Sequence, residues 1–134
     1  MPPRRRTDPV EGQAALLRWY ADPAAADRTT VATAVRHTLE LLAEQRPGHA
    51  VEVRVPPYGV VQCGPGPRHT RGTPPTVVET DPGTWLALAV GTLAWADAHE
   101  SARVAASGLR ADLSGWLPVV PGIGSPGATG SVTV

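Results

Sequence analysis

PTVVETDPGTWLALAV, residues 75–90, changes its hydrophobic period in mid-course. Thr76 to Thr80 alternates, turning polar at Glu79, as a strand with one solvated face does. Asp81-Pro82 then opens a run of a different kind. An acidic residue that can accept from the N–H groups of a first helical turn is followed by a proline preset for that turn. Trp85 to Val90 is apolar on every side, and Gly91 ends the run. A helix with no polar face is buried on both flanks or lines a cavity. A strand followed at once by such a helix rules out an all-β or all-α fold.

Upstream, the same two periods recur. AVEVRVPPYGVVQC, residues 50–63, sets Val51, Val53 and Val55 against Glu52 and Arg54, turns at Pro56-Pro57-Tyr58-Gly59, and returns through Val60–Cys63. This is a hairpin. Before it, Asp27 can cap a long helix that stops at Pro47-Gly48, with Val31, Ala34, Val35, Thr38, Leu41 and Leu42 as the buried stripe. Arg36 and Glu40 stand four apart on the opposite face and can pair, for a few tenths of a kcal/mol. A first helix is expected from Pro9 to about Ala21, capped by Asp8 with Glu11 in a capping-box position. Its stripe is Val10, Ala14, Leu17 and Ala21, widened by Leu16, Trp19 and Tyr20.

Downstream, Thr92 can cap a short helix through Trp95 and Ala98, ARVAASG reads as a fourth strand, and LRADLSGWLP as a short closing helix or turn. The order ααββ(loop)βααβα, with hairpin and mixed connections, predicts α+β rather than a doubly wound parallel sheet. The expected organisation is a disordered basic segment at residues 1–7, one domain at 8–119, and a glycine-rich disordered tail at 120–134.

Composition narrows the function. The formal net charge is zero, which argues against a nucleic-acid binder, and the basic charge is carried by arginine alone. One cysteine, Cys63, excludes a disulfide within the chain and a Cys-based zinc site. No run approaches the ~20 apolar residues of a membrane span, and MPPRRRTDPVEG lacks the apolar stretch of a secretory signal. A cytoplasmic setting fits. No P-loop, GxGxxG, GxSxG or HExxH is present, so neither a cofactor nor a metal nor a catalytic residue is expected. His49 and His99 lack partners at metal spacing, and His37 reads as structural.

Two places remain where a ligand can be held. The loop CGPGPRHTRGTPP, residues 63–75, is long and dense in glycine and proline. It carries Arg68, His69 and Arg71, whose donors suit a carboxylate or phosphate, or else brace the loop against Glu79 or Asp81. Trp85, Leu88, Ala89 and Leu93 can line an apolar cavity or fill a core.

Residues 27–119 resemble the sterol carrier protein family in its short actinobacterial-type form. ETDPGTWLALAVGTLAWADA followed by ARVAASGLRADLSGWLPV places Trp85, Leu86, Leu88, Gly91, Leu93, Ala98, Val104, Gly108 and Leu113 where that family has its helix, strand and closing turn. The resemblance implies a twisted, mostly antiparallel sheet of four to five strands with helices over one face. It also implies an apolar tunnel for a lipid, fatty acid or fatty acyl group, and no catalysis. The helix at residues 9–21 and the arginine loop are additions to that pattern. They are the expected contact points for any protein partner. The alternative function is a protein-interaction module with a filled core and no small-molecule ligand.

Overall fold

The computed structural model describes residues 6–66, 76–107 and 112–123. Its elements are α1 (Pro9–Ala21), α2 (Arg28–Gln45), β1 (Val51–Val55), β2 (Gly59–Cys63), β3 (Thr76–Thr80), α3 (Pro82–Val90), α4 (Trp95–Glu100), β4 (Val104–Ser107) and a 3₁₀ turn at Ser114–Trp116. The fold is α+β, as the alternating periods require.

The four strands lie in the order β2-β1-β3-β4. β1 pairs antiparallel with β2 and β3 antiparallel with β4, while β1 and β3 at the centre run parallel. Val53 stands level with Val61 on one side and Val78 on the other. That register stacks Val51, Val53, Val55, Cys63 and Val78 on one buried face and leaves Arg54, Val60, Gln62 and Glu79 on the exposed one. The helices cover the buried face only.

Helix starts follow the sequence closely. The carboxylates of Asp8, Asp27 and Asp81 accept from the N–H groups of Glu11, Thr30 and Thr84 respectively. Asp81 also accepts from the Thr84 hydroxyl at 2.6 Å. Partial burial would by itself raise the Asp81 pKa. The two bonds from Thr84 and the nearby Arg103 outweigh it, so the carboxyl titrates below its ordinary 3.8. Gly91 ends α3 in the left-handed region at φ 92°, where its N–H returns to the Ala87 carbonyl.

Several expectations are corrected. α1 buries Gly12, Ala15, Leu16 and Trp19, whereas Val10 and Leu17, which belonged to the expected stripe, are 77% and 48% exposed. The cause is Gly12: a Cβ there would fall 2.4 Å from the His37 ring, so only glycine lets α1 settle onto α2 by this face. Arg36 does not pair with Glu40. Its Nε donates to the Tyr58 carbonyl, and the Glu40 carboxylate accepts from the N–H groups of Arg6 and Thr7. Those bonds give residues 6 and 7 fixed partners, although both fall in the segment expected to be disordered. Thr92 caps nothing. Its hydroxyl donates back to the Ala87 carbonyl, and α4 begins after Ala94 without a side-chain cap.

The chain also stays packed beyond residue 119. Gln45 Nε2 donates to the Val119 carbonyl, the Val120 N–H donates to the Ala89 carbonyl, and Val120 and Ile123 pack against the core. Residues 120 and 123, read as part of the tail, are thus packed, and residues 124–134 lie outside the described residues.

Candidate functional site

The apolar residues singled out in the sequence lie at the centre of the fold. Trp85, Leu88 and Ala89 are at most 1% exposed, and Leu93 is partly buried beside them. The Trp85 ring is tied down by its own polar atom: Nε1–H donates to Thr38 Oγ1 at 2.8 Å. The Thr38 hydroxyl lies within donor distance of the Ala34 and Val35 carbonyls, at 2.8 and 3.0 Å. A buried indole N–H thus finds its partner on the facing helix, as buried polar groups must. α3 is clamped onto α2 by this bond.

Arg68, His69 and Arg71 lie outside the described residues. The chain leaves β2 toward them through Gly64, whose N–H donates to the Arg46 carbonyl at 2.6 Å and whose carbonyl accepts from Ala50. Gly64 has φ 90°, and a Cβ there would strike the Trp116 ring at 2.4 Å, so the departure point is fixed by a close backbone approach.

The larger surface depression is elsewhere. A groove of about 960 Å³ runs between α2 and the free edge of β2, closed at one end by the approach to α1. Its lining is mixed: Tyr58, Val60 and Val61 of the hairpin and the almost fully buried Leu39 and Ala43 of α2 lie among Asp8, Glu11 and Glu40. Arg36 and His49 stand at its polar rim. Both are anchored, Arg36 to the Tyr58 carbonyl at 3.1 Å and His49 Nδ1 against Gln62 Oε1 at 2.8 Å. A second, smaller hollow of about 430 Å³ lies between Ala50, Pro65 and Trp116, where the chain departs toward the arginine loop.

The groove was not read from the sequence, although its signal was there. Arg36, Leu39, Glu40 and Ala43 lie at helical spacing on one face of α2, but Leu39 fell outside the expected stripe. α2 in fact buries parts of most of its circumference, because α1 covers one side and the sheet and α3 cover others.

The chemistry of these surfaces is that of binding. The Cys63 thiol is fully buried, and burial pushes its pKa up to about 11, so at neutral pH it is not a thiolate nucleophile. Among the described residues no cluster of His, Cys, Asp and Glu is placed to hold a metal ion, and no helix is long and apolar enough to cross a membrane.

An open four-stranded sheet with α2 packed over β2, an acid-capped apolar helix packed on α2, and a closing turn beyond β4 are the marks of a sterol-carrier-like domain. The family described as bacterial SCP ortholog matches residues 27–119, and the chain belongs to it. The match begins at the cap of α2, so α1 precedes it, and it ends before the packed Val120 and Ile123. No curated protein matches the chain. Membership points to a lipid-binding carrier role in general, in a family whose domains are generally non-catalytic.

Proposed function

We propose that this chain is a non-enzymatic carrier or sequestering domain for an amphipathic lipid such as a fatty acid. The alkyl part lies along Tyr58, Val60 and Val61 in the groove beside β2, and the acidic head meets arginine. The observation that carries the reading is the groove itself, where Tyr58, Val60 and Val61 lie beside Arg36 and His49, in a chain of a lipid-carrier family. Arg68 or Arg71, on the loop that follows β2, supplies a further donor to the head group. A ten-carbon chain buried at ~0.8 kcal/mol per CH₂ gains about 8 kcal/mol gross, from which association costs are subtracted. A charge-assisted contact adds ~1.5–3 kcal/mol. A path against Trp85, Leu88 and Ala89 would require α3 to part from α2 and break the Trp85–Thr38 bond.

The test is native mass spectrometry of protein from its own host, followed by titration with a fluorescent fatty acid. A co-purified lipid is expected, with uptake lowered by Val61→Arg and by Arg36→Gln. Uptake unaffected by Val61→Arg but abolished in a folded Trp85→Phe variant would move the ligand to α3.

A second reading, a protein-interaction module without a small-molecule ligand, is favoured by one observation: the residues expected to line a tunnel are closed in. Absence of any bound lipid and of fatty-acid uptake would establish it over the first.

A further inference from the structure

α1 carries two apolar stripes on opposite faces, and only one is used. Gly12, Ala15, Leu16 and Trp19 pack inward on α2. Val10, Ala14, Leu17 and Ala21 recur at intervals of three and four along the other face, and all four are exposed. Leu17 and Val10 are the large members, 48% and 77% exposed, and Tyr20 widens one flank at 39%. The helix precedes the segment matched by the family, so the sheet-and-helix domain does not account for its second stripe.

The charges beside the stripe indicate what covers it. Glu11 and Arg18 are seven residues apart, two helical turns, and so share one flank. Among the described residues neither side chain makes a salt bridge within the chain. Arg18 acts at a distance on Asp27, whose carboxyl is held down first by the hydrogen bonds from Thr30 and then by that charge. We infer that α1 pairs with α1 of a second copy, antiparallel and about a two-fold axis.

With the axis between Ala14 and Leu17, Val10 of each copy meets Ala21 of the other, and Ala14 meets Leu17. Each large side chain then faces a small one, which lets the helices approach. On that axis Glu11 of each copy stands level with Tyr20 of the other, two residues or about 3 Å along the helix from Arg18 on the same flank; the long arginine side chain spans that offset, giving two equivalent ion pairs from one surface, as an isologous contact requires. A parallel two-fold pairing would put the Glu11–Arg18 flanks of the two helices on opposite sides of the seam and form neither ion pair, so charge favours the antiparallel form. α1 is about 20 Å long at 1.5 Å per residue. A single helix pair of that length falls below a standard interface, so the dimer is weak and concentration-dependent.

The proposal does not depend on a lipid ligand. Sedimentation equilibrium of the full chain over a wide concentration range tests it, with circular dichroism and melting temperature confirming that each variant is folded. A monomer–dimer equilibrium is expected. Leu17→Asp and, independently, Val10→Asp should abolish it. Glu11→Arg and Arg18→Glu should each weaken the dimer about tenfold or more through like-charge contact, and the double variant E11R/R18E should recover most of that loss. A monomer at every concentration overturns the proposal, as does a dimer indifferent to Leu17→Asp. A double charge swap no tighter than the single changes also overturns it, and would indicate another occupant for the stripe.

Discussion

Thr38→Val tests whether Trp85 is held as a core residue or is free to act as a wall. Valine matches threonine in shape, so the substitution leaves the packing between α2 and α3 almost unchanged. It removes the oxygen that accepts from Trp85 Nε1 at 2.8 Å and leaves a buried indole N–H without a partner. An orphaned buried donor costs about 1–3 kcal/mol. For a chain of this length each kcal/mol corresponds to roughly 3–5 °C of melting temperature. Trp85→Phe removes the donor itself and part of the ring. It should cost a cavity penalty, while the Thr38 hydroxyl keeps its bond to the Ala34 carbonyl. In the double variant nothing is left unpaired. The double change should therefore cost less than the sum of the two, by about 0.5–3 kcal/mol of coupling. Urea unfolding of the four proteins, followed by far-ultraviolet circular dichroism, measures each free energy. A neutral Thr38→Val, or strict additivity across the cycle, would refute the clamp.

Trp85→Ala should cost about 3–5 kcal/mol in the same assay, the loss of a fully buried large side chain. Gly12→Ala should lower the melting temperature by displacing α1 from the His37 ring, and truncation of α1 should then have less effect in that background than in the natural chain. Stability should fall as pH drops below about 4. Asp81 titrates below its ordinary 3.8 in the folded state, so its contribution is present above that value and lost as the carboxylate is protonated; Asp81→Asn should flatten this acid limb of a pH series. At the alkaline end the sign reverses. The folded Cys63 thiol titrates near 11 against 9.0 when exposed, so its contribution is full below pH 9 and lost as pH rises toward 11. A thiol reagent at pH 8 should accordingly label Cys63 at the rate of unfolding and no faster.

What could be read from the sequence was what local chemistry decides. Asp27 and Asp81 announce α2 and α3 because a carboxylate before a first turn has few other uses, and Val51-Glu52-Val53-Arg54-Val55 announces a strand because its period matches one half-buried face. What failed was the choice between competing faces. α1 offers two apolar stripes, and the exposed one has the stronger apolar character by spacing alone. The buried one is selected by Gly12, whose contribution is the absence of a side chain and therefore invisible to a hydrophobic pattern. The groove escaped for a related reason. Leu39 and Val61 are brought together by the packing of α2 over the hairpin, which no single segment encodes. Val120 and Ile123 stand among glycines and prolines, and their burial depends on the Val120 bond to Ala89, far away in sequence.

The central parallel pairing has a practical corollary. Cys63 and Thr76 are both level with Val51, one on each side of β1. The chain therefore leaves one neighbour of β1 and re-enters at the other, two strand spacings or roughly 10 Å away. Both ends of that gap have partners of their own, Gly64 under Trp116 and Thr76 beside Val51. Doubling the length of a flexible segment bridging fixed ends costs only about 0.6 kcal/mol. Any segment in place of residues 67–75 therefore has to close roughly 10 Å between two held ends, and its length beyond that changes the closure cost little.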